Sequence, residues 1–243
     1  MHKLFISPSD VDGKFISVKG EDVEHLHALR VREGDLLRVS DGVSRVYEAK
    51  AAQIRKDAVL LDIVSEKPFE NEPCLSLTVC IASLKGDGCE DVIRQAVELG
   101  ASRIVIFSSE NCVADKRGKT DRYAKIARQA AMQSGRDIIP SVNGIVSFDE
   151  MIEILSEAEF SAFFHESASD PLYPYISAHE KSPRSAAFCV GPEGGFSEKE
   201  VAFARNAGIP VLSLGKRILR AVTAPVYAAS VIMSVFDEPR CCN

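Results

Sequence analysis

An apolar, strand-like run from Ala186 to Val190 breaks into Gly191-Pro192-Glu193-Gly194-Gly195-Phe196, and Ser197-x-x-Glu200 then carries the signature of a capped helix start. Glycines at a strand end usually do no more than relieve a tight turn. Here a second turn of similar make-up follows, Leu214-Gly215-Lys216-Arg217-Ile218-Leu219-Arg220, again after an apolar run. In open parallel sheets, ligands gather at the carboxyl ends of strands, and both turns leave strands on that side. The pair therefore constrains this part of the chain to an α/β fold in which two loops share one pocket.

The rhythm of the chain supports a division. Residues 1–70 read as short strands (Lys3 to Ile6, Lys14 to Val18, Asp35 to Ser40, Arg45 to Ile54, Val59 to Val64) with one helix near Asp22 to Arg30. Five strands and a helix in so short a span predict a small β-barrel, closed or half-open. Lys67 to Pro73 reads as the linker. Residues 74–243 alternate strand and helix, which predicts a mainly parallel sheet covered by helices. The strands are Leu75 to Ala82, Arg103 to Phe107, Phe160 to Phe164, Ala186 to Val190 and Val211 to Leu214. The helices are Asp87 to Leu99, Thr120 to Gln133, Glu198 to Ala207 and Ala224 to Phe236.

At 243 residues the chain suffices for two such domains. Its 46% hydrophobic and 26% charged content is that of a globular protein. No apolar run reaches the roughly 18 residues of a membrane span, and the first residues form no signal-peptide core, so a cytoplasmic protein is expected. Seven cysteines without a C-x-x-C pair are read as reduced thiols, and no metal site is expected. The formal charge of -6 argues against a nucleic-acid binder, but seven basic residues stand against two acids between Asp115 and Arg136. That run reads either as a phosphate-facing patch or as a solvated helix face.

The ligand chemistry follows from the loops. Neither matches G-x-x-x-x-G-K-[ST], and Glu193 stands where a phosphate cradle needs backbone amides and a lysine. S-adenosyl-L-methionine fits better, because it carries no phosphate and its positive sulfonium is not repelled by a carboxylate.

These residues resemble those of the ribosomal RNA small-subunit methyltransferase E family, within the SPOUT superfamily of knotted methyltransferases. The resemblance runs nearly end to end. His25-Leu26-His27-Ala28-Leu29-Arg30, Gly34-Asp35 and Asp41-Gly42 are similar to the family's PUA-like RNA-binding domain. Lys85-Gly86-Asp87, Glu98-Leu99-Gly100 and Gln133-Ser134-Gly135-Arg136 match further signatures, and the two glycine loops are the most specific. The resemblance implies a PUA-like β-barrel followed by a SPOUT domain with a deep trefoil knot, working as a homodimer. The implied activity is S-adenosylmethionine-dependent methylation of uridine N3 in small-subunit (16S) ribosomal RNA. It further implies that Val190, Gly191, Pro192, Glu193, Gly194, Gly195, Leu212, Ser213, Leu214, Gly215, Ile218 and Leu219 hold the donor. Arg220 and Glu193 become the catalytic candidates, and Arg30, Arg136 and Arg220 are implied to face RNA; Lys116, Arg117 and Lys119 join the RNA-facing candidates from the basic run.

Four positions depart from the family pattern. Val222 replaces an acid, Asn111-Cys112 replaces an R-S pair, and Gln95 replaces a lysine. They leave a second reading beside the active enzyme: a catalytically weakened RNA-binding assembly factor that keeps the fold and the donor pocket.

Overall fold

The structure, a computed structural model, describes residues 2–113, 120–179 and 181–237. Two compact units emerge. One comprises Met1–Glu72 and Ala131–Ile139, the other Pro73–Ala130 and Pro140–Asn243. The segment 131–139 thus belongs with the N-terminal unit, a grouping that the expected boundary at residues 70–74 did not foresee.

The N-terminal unit holds β1 (His2–Phe5), a 3-10 turn (Pro8–Asp10), β2 (Val11–Asp12), β3 (Phe15–Lys19), α1 (Glu21–Ala28), β4 (Leu36–Ser40), β5 (Val46–Ile54) and β6 (Ala58–Lys67). The sheet order is β1-β4-β5-β6-β3-β2, with β1 parallel to β4 and the other pairs antiparallel. β1 and β2 lie at opposite ends of that order, yet only residues 6–10 join them. Even fully extended, that link spans about 21 Å, whereas a flat six-stranded sheet is about 24 Å across, so the sheet must curl. Register shifts in β5 on both sides of Ala49–Ala51 supply the bend. Inward residues Ile16, Val18, Leu37, Val39, Ala49, Val59 and Leu61 meet Val23 and Leu26 of α1 in one core. The expected five strands are six, because two-residue β2 is too short to show a period.

Residues 131–139 are fastened to this unit by charge. Asp137 is fully buried. Its carboxylate receives the Lys3 ammonium, both ends of a hydrogen-bond pair from Arg38 Nη2 (3.2 and 3.1 Å), and the backbone N–H groups of Glu70 and Asn71 (3.0 and 3.1 Å). Burial opposes its charge, but these donors prevail, led by Lys3, and its pKa is lowered to about 2. Next to it the Arg136 Nη2 donates to Glu72 Oε2 at 2.5 Å, while Glu72 Oε1 accepts from the N–H groups of Asp137 and Ile138.

The second unit contains β7 (Ser76–Ala82), α2 (Gly88–Glu98), β8 (Arg103–Phe107), α3 (Thr120–Ser134, its last residues grouped with the first unit), β9 (Ser141–Val146), α4 (Phe148–Glu157), β10 (Phe160–Phe164), α5 (Leu172–Ser177), β11 (Ser185–Val190), α6 (Glu198–Asn206), β12 (Val211–Leu212) and α7 (Thr223–Phe236). The sheet runs β12-β10-β11-β7-β8-β9 and every pair is parallel. Central strands β7, β8 and β11 are almost wholly buried, as a parallel sheet covered on both faces demands. The expected capping box closes: Glu200 N–H donates to Ser197 Oγ and Ser197 N–H to Glu200 Oε2 (3.3 and 2.8 Å). β9, α4 and α5 were not anticipated, although Ser147 and Glu150 form the same box at the head of α4.

The cysteine expectation needs one correction. Cys80, Cys89, Cys112 and Cys189 are free, but Cys74, exposed before β7, is disulfide-bonded. An exposed thiol remains open to a second cysteine, whereas the buried ones do not. No helix among the described residues is long and apolar enough to cross a membrane, and no metal-ligating cluster occurs among them.

Candidate donor-binding site

The loop after β11 is held from three directions. Phe196 folds back beneath it, stacked into a cluster with Phe107, Phe148 and Phe163. A Cβ on Gly191 would stand 3.0 Å from the Phe196 ring, and one on Gly194 would stand 3.1 Å from the Asn111 Cβ. Close approach therefore requires glycine at both. Asn111 Nδ2 donates to the Gly195 carbonyl at 3.1 Å, so the residue that departs from the family pattern clamps this loop. Glu193 Oε1 accepts the Lys85 N–H at 3.0 Å, tying the loop to the turn after β7.

The second loop is held by its own backbone. Ser213 N–H donates to the Asp170 carbonyl (2.7 Å), and Leu172 N–H donates to the Ser213 carbonyl (2.9 Å). Gly215, at φ 110, takes a left-handed conformation, its N–H donating to Ser213 Oγ at 3.1 Å. Beyond it the Arg220 carbonyl accepts from Thr223 and Ala224 N–H groups and starts α7 (2.8 and 2.9 Å).

Both loops open onto one cavity of about 310 Å³. All the expected donor-holding residues line it except Leu212, which is buried beneath and contributes its carbonyl to the His165 N–H (3.0 Å). Arg217 lines it too, from within the second loop, and the lining also includes residues not anticipated: Phe164 at the end of β10, His165 and Glu166 just beyond it, and Ala221 and Ala224. Nothing in the spacing of the glycine loops points to positions some 25 residues upstream. The available signal was the adjacency of two parallel strands.

The charged candidates separate. Arg220 is exposed but does not line the cavity, whereas Arg217 does. Glu193 lines it while serving the Lys85 amide. Arg30 is exposed at the end of α1, in left-handed backbone at φ 56. Arg136 is 5% exposed and bound to Glu72, so it is an internal staple and not an RNA-facing group; a charged residue in sequence does not reveal whether a partner waits for it. Lys116, Arg117 and Lys119 lie outside the described residues. Within the same basic run, Arg122 is paired with Glu90 at 2.6 Å. Val222 packs as an apolar residue: its Cγ1 lies 3.3 Å from the point a Cβ on Gly88 would occupy. The thiols beneath the site are inert, since burial raises the pKa of Cys80 to about 12 and raises that of Cys189 well above its usual value.

The cavity fits the donor in chemistry as well as size. It is at the lower end of small-ligand pockets, its lining divided between apolar and polar surface, with backbone groups at its glycine walls and both charge signs on its rim.

Comparison with known proteins agrees with this geometry. An RNA methyltransferase domain family matches residues 70–233, and an RNA methyltransferase PUA domain family matches residues 18–64. The ribosomal RNA small subunit methyltransferase E of Synechocystis is 31% identical over 98% of this chain and 78% of its own. That of Bacillus subtilis is 33% identical over 89% of this chain and 88% of its own. Among solved structures, the Neisseria gonorrhoeae ribosomal RNA small subunit methyltransferase E bound to S-adenosyl methionine superposes with a TM-score of 0.87. It is 27% identical, with 97% of this chain and 98% of that one covered. With an all-parallel domain carrying paired glycine loops behind a PUA-like domain, the chain belongs to the ribosomal RNA small-subunit methyltransferase E family of RNA methyltransferases.

Proposed function

We propose that this protein transfers a methyl group from S-adenosyl-L-methionine to N3 of a uridine in small-subunit (16S) ribosomal RNA. The single observation that carries the reading is that both glycine loops wall one cavity, with Arg217 at its edge. Bound there, the donor supplies an electrophilic methyl on a sulfonium. The protein must do the rest. Uridine N3 is a poor nucleophile while protonated, so its proton has to leave before its lone pair forms the N–C bond and the S–C bond breaks. A guanidinium beside the base stabilises the resulting anion, and Arg220, exposed just beyond the second loop, is the group of this chain suited to that role. The fixed loops contribute alignment of base and methyl, on the order of several kcal/mol of the barrier.

The reading includes a trefoil knot and a homodimer. Supporting the knot, the chain entering the second loop is bonded to Asp170 and Leu172, and α7 then returns to pack on α2, α5, β7 and β11. Arg30 and the lysines at 116 and 119 with Arg117 serve the RNA, and the work takes place in the cytoplasm. Val222 supports an active enzyme over an inert assembly factor, because its contact with the start of α2 gives it a packing role in place of the missing acid.

Tritium transfer from S-adenosylmethionine to small subunits lacking the modification, followed by mass spectrometry of the nucleosides, tests this. Labelled N3-methyluridine is expected. Donor binding without transfer would favour the assembly-factor reading.

A further inference from the structure

We infer that Glu166 holds the sugar of the methyl donor, its two carboxylate oxygens accepting hydrogen bonds from the two vicinal ribose hydroxyls. The inference rests on the donor reading above and assigns a role to a residue which that reading does not use.

β10 and β11 are parallel neighbours whose last residues, Phe164 and Val190, are paired. Glu166 therefore stands two positions beyond the end of its strand, at the edge where β11 gives way to the glycine loop. Its carboxylate reaches that loop, since Oε1 lies 3.3 Å from the point where a Cβ on Gly195 would stand, and the residue lines the donor cavity. Gly195 itself is in left-handed backbone at φ 70, so no side chain intervenes between the carboxylate and the loop.

The capacity of the carboxylate is unspent. The side chain is 55% exposed, and the imidazole of His165 stands beside it, Nε2 3.7 Å from Oε2. His165 turns its other ring nitrogen to Ser167 Oγ at 2.8 Å. The second acid in the wall, Glu193, already serves the Lys85 amide. An acid beyond the strand adjoining a glycine-loop strand is how open α/β sheets accept sugar hydroxyls, because both groups then face the same crevice. A carboxylate also matches a diol: two acceptors, side by side, for two donors.

The donor's α-ammonium is the other group a carboxylate could take. It shares a carbon with the donor's own carboxylate, whose natural counter-charge in this cavity is Arg217. Among the described residues no ion pair joins Glu166 to Arg217, and Glu166 belongs to the β10 wall, so the sugar is the better match.

Calorimetry on wild type, Glu166→Ala and Glu166→Gln separates the possibilities. The probes are S-adenosylhomocysteine and 5′-methylthioadenosine, which keeps the sugar but has no amino-acid end. Glu166→Ala is expected to weaken both by about 10- to 100-fold with an unchanged thermal midpoint, and Glu166→Gln, which keeps one acceptor, to weaken both less. Unchanged affinities in Glu166→Ala would overturn the inference while leaving the donor reading intact. So would a loss confined to S-adenosylhomocysteine, which would move the carboxylate to the ammonium. Wild-type protein that binds neither probe would remove the donor reading and this inference together.

Discussion

Two segments that look equally functional in sequence, Gln133 to Arg136 and Gly191 to Phe196, are put to opposite uses. The first carries a long cation, and its hydrogen-bonding capacity is consumed: Arg136 by Glu72, and the following Asp137 by Lys3, Arg38 and two backbone amides. The second carries three glycines in six residues, and its backbone is held in place by Phe196, Asn111 and Glu193 while its inner face opens on a cavity. A site is recognised by what remains unsatisfied after folding, and residue type alone does not report that.

The comparison breaks most visibly at Asp137. Asp137→Ala should destabilise the N-terminal unit by about 3–5 kcal/mol, because it leaves Lys3 and Arg38 without their buried counter-charge, while donor affinity in folded protein stays the same. Chemical denaturation paired with calorimetry checks both halves. A pH series sharpens the point. The folded-state pKa of Asp137, about 2, is depressed below its ordinary 3.8, so its contribution is fully present above pH 4 and is lost as pH falls from about 4 towards 2. Wild-type stability should fall across that window, and Asp137→Asn should flatten the fall.

The glycine loop should respond the other way. Gly194→Val places a branched side chain where even a Cβ would stand 3.1 Å from Asn111, and should weaken S-adenosylmethionine binding by at least about 100-fold, roughly 2.7 kcal/mol, in calorimetry. An unaltered affinity would mean that the loop does not meet the ligand. Asn111→Ala removes the amide's bonds to the Gly194 and Gly195 carbonyls, and should cost donor binding about 1 kcal/mol, a five- to tenfold rise in Kd, with little change in thermal midpoint.

Legibility in the sequence followed the same division between local pattern and distant partner. Arg103–Phe107 and Phe160–Phe164 are strands with the expected bounds, because buried parallel strands are unbroken apolar runs between turn residues. β9 was hidden by Asn143 and Gly144 within its six residues, and α5 by its brevity and Pro174. The glycine loops declared themselves because their chemistry is local. Glu166 did not, since its relevance arises only when β10 is laid against β11. Arg136 misled for the same reason: Glu72 is 64 residues away in the chain.

Hydrogen–deuterium exchange with and without saturating S-adenosylmethionine addresses the central claim, that the two loops enclose one donor. The expected result is slowed exchange in both 191–196 and 213–219, with residues 131–139 unchanged. Protection of one loop alone, or of neither, would contradict it.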